Sequence, residues 1–335
     1  MNKSSFTELR LLISCFTFYR FINLIKLALS WICSKVWSKP ILWGFPYAIS
    51  IEPTSQCNLH CVECPSGTGM LQRPSGQMSL ELFKTIIDQV SKYSFYINLY
   101  FQGEPLIHPR IGDMIAYAKS KKMFVFTSTN GHFITQKNAQ TLISSKLDKL
   151  IISIDGANQE DYEKYRVGGV FIKVIDGLKE LSQQKKQSKS KTPIIIAQVL
   201  LLKTTEDSID KIQNLVLLNG ANIVEFKKAQ FYNPNKKDCL LPKNSQLTRY
   251  RYSEEKGWHL KQNNSKGCKR LWSTIVITWD GNILPCCYDK DAKYPYNSMS
   301  TSSIFEAYRS INAREFRNRV HQNKSAIDIC QNCGE

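Results

Sequence analysis

The sequence predicts an α/β fold: a partial (β/α)6 TIM-like barrel with an N-terminal amphipathic helical segment and a small C-terminal unit of β-hairpin plus helix. Three observations predict it. Six short β-rich runs alternate with five stretches of helical periodicity between residues 47 and 228, the order that right-handed βαβ units and a parallel sheet require. Ahead of them, residues 1–46 are apolar but broken by charge. Behind them, the tail carries a hairpin signal and a second group of cysteines. The 335 residues suffice for one large domain and a smaller one. We divide them into an N-terminal segment 1–46, a core 47–228, a linker 229–266 and a tail 267–335.

In residues 1–46 the uncharged run from Leu11 to Tyr19 is ended by Arg20, and Lys26, Lys35 and Lys39 follow. No uncharged run approaches the ~18–20 residues of a membrane-spanning helix, and no small-residue cleavage site marks a secretory signal. What remains is an amphipathic helix or helix pair with Trp31, Trp37 and Trp43 towards its end. Such a segment either packs on the core, the favoured reading, or lies on a membrane surface. Cys15 and Cys33 are expected there as small buried hydrophobes.

The core strands are expected at Tyr47–Glu52, Tyr96–Phe101, Phe124–Ser128, Lys149–Ile154, Pro193–Leu201 and Asn222–Phe226, with helices at about 79–92, 109–120, 135–146, 171–186 and 205–219. The linker is polar and basic, with Asn233-Pro234-Asn235-Lys236-Lys237-Asp238 and Asn263-Asn264-Ser265-Lys266, and is expected to hold some helix. In the tail, Asp280-Gly281 between apolar runs signals a hairpin that brings Cys268 near Cys286. A helix is expected at about 303–320, ahead of Cys330-Gln331-Asn332-Cys333.

Eight of the eleven cysteines fall into two short-spaced groups, 57–64 and 268–333. That is no secreted disulfide framework; in a reducing compartment it points to metal or cluster binding, and hence to the cytoplasm. The net charge of +17 admits nucleic acid, an anionic membrane or an acidic substrate as partner. Much of the surplus lies in loop-like stretches such as Lys185–Lys191, so nucleic acid is not the favoured partner.

Cys57, Cys61 and Cys64, spaced C-x3-C-x2-C, are one thiolate short of the four that normally hold a 4Fe–4S cluster. The missing ligand leaves one iron open to a small molecule. The triplet follows strand one directly, and chemistry in parallel barrels sits at the C-terminal ends of strands. Other strand ends carry polar groups at the same depth: Gln102-Gly103-Glu104-Pro105, Ser128-Thr129-Asn130-Gly131 and Ser153-Ile154-Asp155-Gly156. Each alone is an ordinary loop sequence; their shared order and placement is not.

The cysteine triplet resembles the cluster motif of the radical S-adenosylmethionine (SAM) enzymes. Gln102–Pro105 resembles that family's GGEP motif, with Gln102 in place of its first glycine, and Gln159–Arg166 resembles its stretch after strand four. Glu63 departs from the aromatic residue usual before the third cysteine. The tail resembles the auxiliary-cluster domain called SPASM, in its shortened Twitch form, with five cysteines where the full domain has seven. The resemblance covers about residues 47–335. It implies SAM bound at the open iron, with Gly103, Glu104 and Pro105 at its ammonium, Ser128 and Asn130 at the barrel mouth, Ser153 and Asp155 at its ribose, and Arg166 at its carboxylate. It implies a second 4Fe–4S cluster on Cys268, Cys286, Cys330 and Cys333 with Cys287 spare. The alternatives there are Cys287 as the ligand instead of Cys286, and zinc on the four thiolates. The implied activity is reductive SAM cleavage to a 5′-deoxyadenosyl radical that takes a hydrogen atom from substrate, fed by a reductant such as flavodoxin or ferredoxin. Oxidative modification or maturation of a peptide or protein is ranked first and dehydrogenation of a sugar or polyol alcohol second. The opposing class is a basic, zinc-organised nucleic-acid-binding protein.

Overall fold

The computed structural model describes residues 3–237, 239–261 and 267–334. Asp238 and Asn263–Lys266, singled out above in the linker, lie outside the described residues.

Two helices open the chain, α1 (Lys3–Ser14) and α2 (Phe18–Trp37), bent by 104° at the break between them. Thr17 caps α2, its hydroxyl accepting from the Arg20 N–H. The core then alternates as expected: β1 (Ala48–Ile51), a short α3 (Pro65–Thr68), α4 (Leu80–Val90), β2 (Tyr96–Asn98), α5 (Ile111–Ser120), β3 (Phe124–Thr129), α6 (Gln136–Ser144), β4 (Lys149–Ser153), α7 (Gln159–Tyr165), α8 (Phe171–Gln187), β5 (Ile194–Leu201), α9 (Ile209–Leu218) and β6 (Ile223–Lys228). β1 to β6 pair in chain order and in parallel. Side chains alternate between two apolar layers, as the strand period of two demands. Ile49, Ile97, Val125, Leu150 and Ile195 face the helices, while Phe124, Phe126, Ile151, Ile194 and Ile196 fill the concave side.

Two findings differ from the sequence reading. The helix in the linker is a single 3-10 turn, Ser245–Leu247; the larger element there is an unexpected hairpin, β7 (Tyr250–Ser253) against β8 (Gly257–Leu260), with Tyr252 packed edge-on to Trp258. Alternation in Tyr250-Arg251-Tyr252 and Trp258-His259-Leu260 around a polar turn was its signal. The tail is also not a separate layer. After α10 (Arg270–Ser273), β9 (Thr274–Ile277) pairs in parallel with β1, Thr274 opposite Ala48 and Ile277 opposite Ile51. β10 (Asn282–Leu284) and β11 (Asn297–Ser298) extend the edge antiparallel. The result is one sheet of nine strands in the order β11-β10-β9-β1-β2-β3-β4-β5-β6. Helices α11 (Ile304–Arg309), α12 (Ile311–Asn323) and α13 (Asp328–Gln331) complete the tail.

The N-terminal helices close the end of the sheet where the strands begin. Arg20 of α2 is buried and donates to the carbonyls of Ser91, Lys121 and Lys122, at and just past the ends of α4 and α5. Those are carbonyls that a helix leaves unpaired. Asn23 bonds the backbone of Phe45 and Tyr93. Glu8 of α1 pairs with Lys149 at the start of β4, 2.6 Å apart. α2 therefore packs on the core, with polar residues making up most of its buried stripe beside Leu27.

Candidate active site at the mouth of the sheet

β1 delivers the chain to the mouth and Glu52 fixes the departure. Its buried carboxylate is held by the Arg73 guanidinium and accepts from the Trp279 N–H of the tail hairpin at 3.1 Å. The next residues run over Gly103, which has φ +75°. A Cβ on Gly103 would stand 2.5 Å from the Thr54 carbonyl oxygen and 2.7 Å from that of Gln56. Only glycine lets the two strand-end loops touch.

Beyond this crossing Cys57, Cys61 and Cys64 line one cavity of about 110 Å³ together with Gly103, Glu104, Ser128, Asn130, Ser153 and Arg166. The cysteine loop is pinned from outside: His60 N–H donates to Val167 at 2.9 Å and Val62 N–H to Tyr165 at 3.2 Å. Gly67 lies so close beneath it that a Cβ would stand 2.6 Å from the Cys61 nitrogen. Gln102, in the position of the replaced glycine, is buried and accepts from Ser66 at 3.0 Å, tying α3 to the second loop.

The expected SAM-binding residues separate into two groups. Gly103, Ser128, Asn130, Ser153 and Arg166 line the cavity. Asn130 also donates to Asn58 at 2.8 Å, and its amide nitrogen stands 3.9 Å from the Cys57 sulfur. Glu104 reaches the cavity wall, but both its oxygens are engaged, accepting from Leu106 N–H, the Thr129 hydroxyl and Asn130 N–H at 2.7–3.0 Å. It braces the second loop against the third. Pro105 is buried behind it and begins a helical turn. Asp155 is wholly buried and is not among the cavity's lining residues: one oxygen accepts from Arg166 Nε and the other from Leu200 N–H, both at 2.6 Å. It positions Arg166, whose Nη1 stands 3.6 Å from the Cys61 sulfur.

Burial pushes the Cys57 thiol up to about 11, with Glu104 and the other two cysteines adding to the rise. Burial also raises Cys61, against the opposing pull of Arg166. Burial alone would lower Arg166, yet Asp155, followed by Cys61, holds it well above the ordinary arginine value. Three thiols facing one cavity, Cys61 buried and Cys57 and Cys64 half-buried, beside one fixed cation suit a multiply charged metal centre, which displaces their protons. The donor set, with no fourth sulfur lining the cavity, fits a cluster with one open iron.

In the tail, Cys268 lies within electrostatic reach of Cys286, Cys330 and Cys333, and Cys330 within reach of Cys286 and Cys333. Burial, with Cys333 and Cys268 adding to it, pushes Cys330 up to about 12. Burial raises Cys286 well above the usual thiol value, and Cys287, Cys268 and Cys330 add to it. No three His, Cys, Asp or Glu side chains among the described residues stand close enough to share one bare metal ion. Cys287 differs from the other four in its partner, accepting from Arg270 at 3.3 Å.

Tyr100, which the motifs did not mark, lines the mouth cavity, and burial pushes it up to about 12, with Cys287 contributing. It lines the cavity of the first thiol group and lies within electrostatic reach of Cys287 in the second. Glu52, Arg73, Gly67 and Tyr100 were all missed. A charge at the end of an apolar strand was the one available signal, at Glu52.

A family model described as the radical SAM superfamily matches residues 51–216, and one described as an iron–sulfur cluster-binding domain, SPASM, matches 268–334. The chain is 24% identical over 294 residues to the S-adenosyl-L-methionine-dependent 2-deoxy-scyllo-inosamine dehydrogenase of Niallia circulans, covering 85% of this chain and 91% of that one. It is 34% identical over 138 residues to the mycofactocin maturase MftC of Mycobacterium tuberculosis, 41% of this chain and 34% of that one. Relatives matched at above 30% identity are thus spanned over little more than a third of their length. Among solved structures, Streptococcus suis SuiB bound to its precursor peptide SuiA superposes with a TM-score of 0.63 at 14% identity, covering 90% of this chain and 72% of that one; at that identity the likeness is one of fold.

Proposed function

The chain belongs to the radical SAM superfamily and carries a SPASM iron–sulfur domain behind its core, and from that premise we propose that it cleaves SAM reductively to oxidise or mature a peptide or protein. The convergence of Cys57, Cys61 and Cys64 on one cavity with Gly103 and Arg166 carries this reading. When bound, the first cluster and SAM supply an electron and a 5′-deoxyadenosyl radical able to take a hydrogen atom from substrate. The protein's own contribution is positional. Cys57, Cys61 and Cys64 would hold the cluster through their thiolates. Gly103 brings backbone close without a side chain between. Ser128, Asn130 and Ser153 offer hydrogen bonds, and Arg166, held by Asp155, offers a fixed cation to a carboxylate. Cys268, Cys286, Cys330 and Cys333 would hold the auxiliary cluster, which would then supply electron transfer.

SuiB, with its bound precursor peptide, and the maturase MftC support a peptide substrate. Dehydrogenation of a sugar or polyol alcohol is the second reading, favoured by the nearly end-to-end match to the Niallia circulans dehydrogenase. We assign electron supply to a flavodoxin or ferredoxin and the protein to the cytoplasm, whose reducing conditions suit eleven free cysteines. We also keep the division into segment 1–46, core 47–228, connection 229–266 and tail 267–335, with the tail joined to the core through β9.

The test is iron counting and SAM cleavage on anaerobically purified protein. Wild type should hold about eight irons and make 5′-deoxyadenosine, and Cys57→Ala/Cys61→Ala/Cys64→Ala should hold about four and make none. Cys286→Ala should lose the tail irons, whereas Cys287→Ala should keep them. Zinc without iron, or cleavage surviving the triple substitution, refutes the proposal.

A further inference from the structure

Helix α2 is built inside out. Its buried stripe is Arg20, Asn23, Leu27, Ser30 and Ser34, four of them polar. Each polar side chain is satisfied: Arg20 and Asn23 by the loop carbonyls described above, Ser30 by the Trp43 N–H at 2.8 Å and Ser34 by the Ile41 N–H at 2.8 Å. The opposite stripe, at the same helical spacing, is Phe18, Phe21, Ile25, Leu29, Ile32 and Val36, all exposed, from 42% at Ile25 to 74% at Phe18. Helix α1 adds Phe6, Leu9 and Ile13 to the exposed apolar surface, and Phe16 follows in the break before α2. Trp37 and Trp43 are exposed beside the end of α2. A soluble helix turns its apolar stripe inward; α2 instead meets the core mainly with polar groups and turns its apolar stripe out, and α1, seated on the core by Leu11 and Leu12, adds further exposed apolar residues beside it. Exposed apolar surface on this scale marks a docking face.

The charge around the face identifies what covers it. Arg10, Lys26, Lys35, Lys39, Lys92 and Arg309 are exposed about it, while Glu8, the one acidic residue in the first 46, is paired with Lys149. A groove of about 430 Å³ opens beside α2, walled by Phe18, Ile22, Trp43 and Phe305 and lined also by Lys26 and Arg309. Apolar walls with two cations match an acyl chain beneath an anionic headgroup. Basic residues, an apolar stripe and flanking tryptophans are what an interfacial helix presents to anionic lipid.

We propose that α1 and α2 dock the protein flat on an anionic phospholipid bilayer, as a peripheral contact and not as a span. No single helix among the described residues is long and apolar enough to cross a membrane, and the pair is bent by 104°. The polar stripe of α2 is also committed to the core. The orientation follows from the fold. Both helices cap the ends where the strands begin, whereas the thiol cavity lies at the ends where they finish. The mouth therefore opens away from the bilayer, at a height of one strand, on the order of 20 Å, and takes its substrate from the aqueous side. This docking is independent of the chemistry at the mouth.

The test is co-sedimentation of the full chain with vesicles, one set of phosphatidylcholine and one containing about a third phosphatidylglycerol. The protein should bind the anionic vesicles at least about tenfold more tightly than the neutral ones, and added salt should weaken that binding. Phe21→Ser/Ile25→Ser/Ile32→Ser should weaken binding at least about tenfold at unchanged iron content, while Tyr252→Ser, on the β7–β8 hairpin, should not. Arg10→Gln/Lys26→Gln/Lys35→Gln should remove the preference for anionic lipid. Absence of vesicle binding by wild type, or binding unaffected by the triple serine variant, overturns the proposal. So does a wild-type dimer in light scattering that the serine variant dissolves, because a second copy would then be the occupant.

Discussion

Removing the Arg166 guanidinium should expose how the mouth is held. The pair with Asp155 is buried, the side chains being 16% and 0% exposed, with Nε 2.6 Å from the carboxylate. In Arg166→Met the reach is nearly kept and the charge is lost. Asp155 then keeps one bond, from Leu200 N–H, and carries an uncompensated buried charge. Breaking such a pair costs about 3–5 kcal/mol, and the Leu200 bond favours the lower end, so about 3 kcal/mol is expected. In Asp155→Asn/Arg166→Met no charge is stranded, so the double variant should recover about 1–2 kcal/mol relative to the sum of the single changes. Anaerobic urea unfolding followed by circular dichroism measures all four proteins, and SAM cleavage is assayed in parallel. The positional role requires that Arg166→Lys, which keeps the charge but loses the planar fork, falls between wild type and Arg166→Met in both. An Arg166→Met protein within about 0.5 kcal/mol of wild type, with additive effects and unchanged cleavage, refutes this account.

Two further outcomes follow from the same geometry. Gly103→Ala meets a positive φ, which costs about 1–2 kcal/mol, and three backbone atoms within 2.7 Å that cannot swing away. It should destabilise by about 3 kcal/mol or more and lower the iron held by Cys57, Cys61 and Cys64; full iron content with an unchanged unfolding midpoint would contradict it. Burial lowers Lys185 from 10.5 to about 8, so the folded state disfavours its proton. Between those values the unfolded chain binds more protons, and stability therefore rises with pH. Compared with Lys185→Met, wild type should gain stability from about pH 8 to about pH 10, with a constant difference below pH 8. A difference that is flat throughout would remove Lys185 as its source.

How much was legible in the sequence depended on distance along the chain. The gathering of Cys57, Cys61 and Cys64 at one cavity was, because spacing within one loop is a local property. So were the six parallel strands, whose apolar runs are continuous where both faces are buried, and the Asp280-Gly281 hairpin, whose turn chemistry is local too. The pairing of β9 with β1 was not: it joins segments more than 200 residues apart, and β9 looks the same in a separate unit. Nor were the roles of Glu104 and Asp155. Both stand where the motifs place SAM contacts, yet their carboxylates turn to Thr129 and Asn130 and to Arg166 and Leu200, because a buried carboxylate takes whichever donors the fold brings nearest. The N-terminal segment draws the line most sharply. Its amphipathic period is plain in the sequence and predicts two stripes, but not which one points inward. That was decided by the carbonyls of Ser91, Lys121 and Lys122, left unpaired around the ends of two helices and gathered at one place only by the folded sheet. They gave Arg20 a buried home and left the apolar stripe outside.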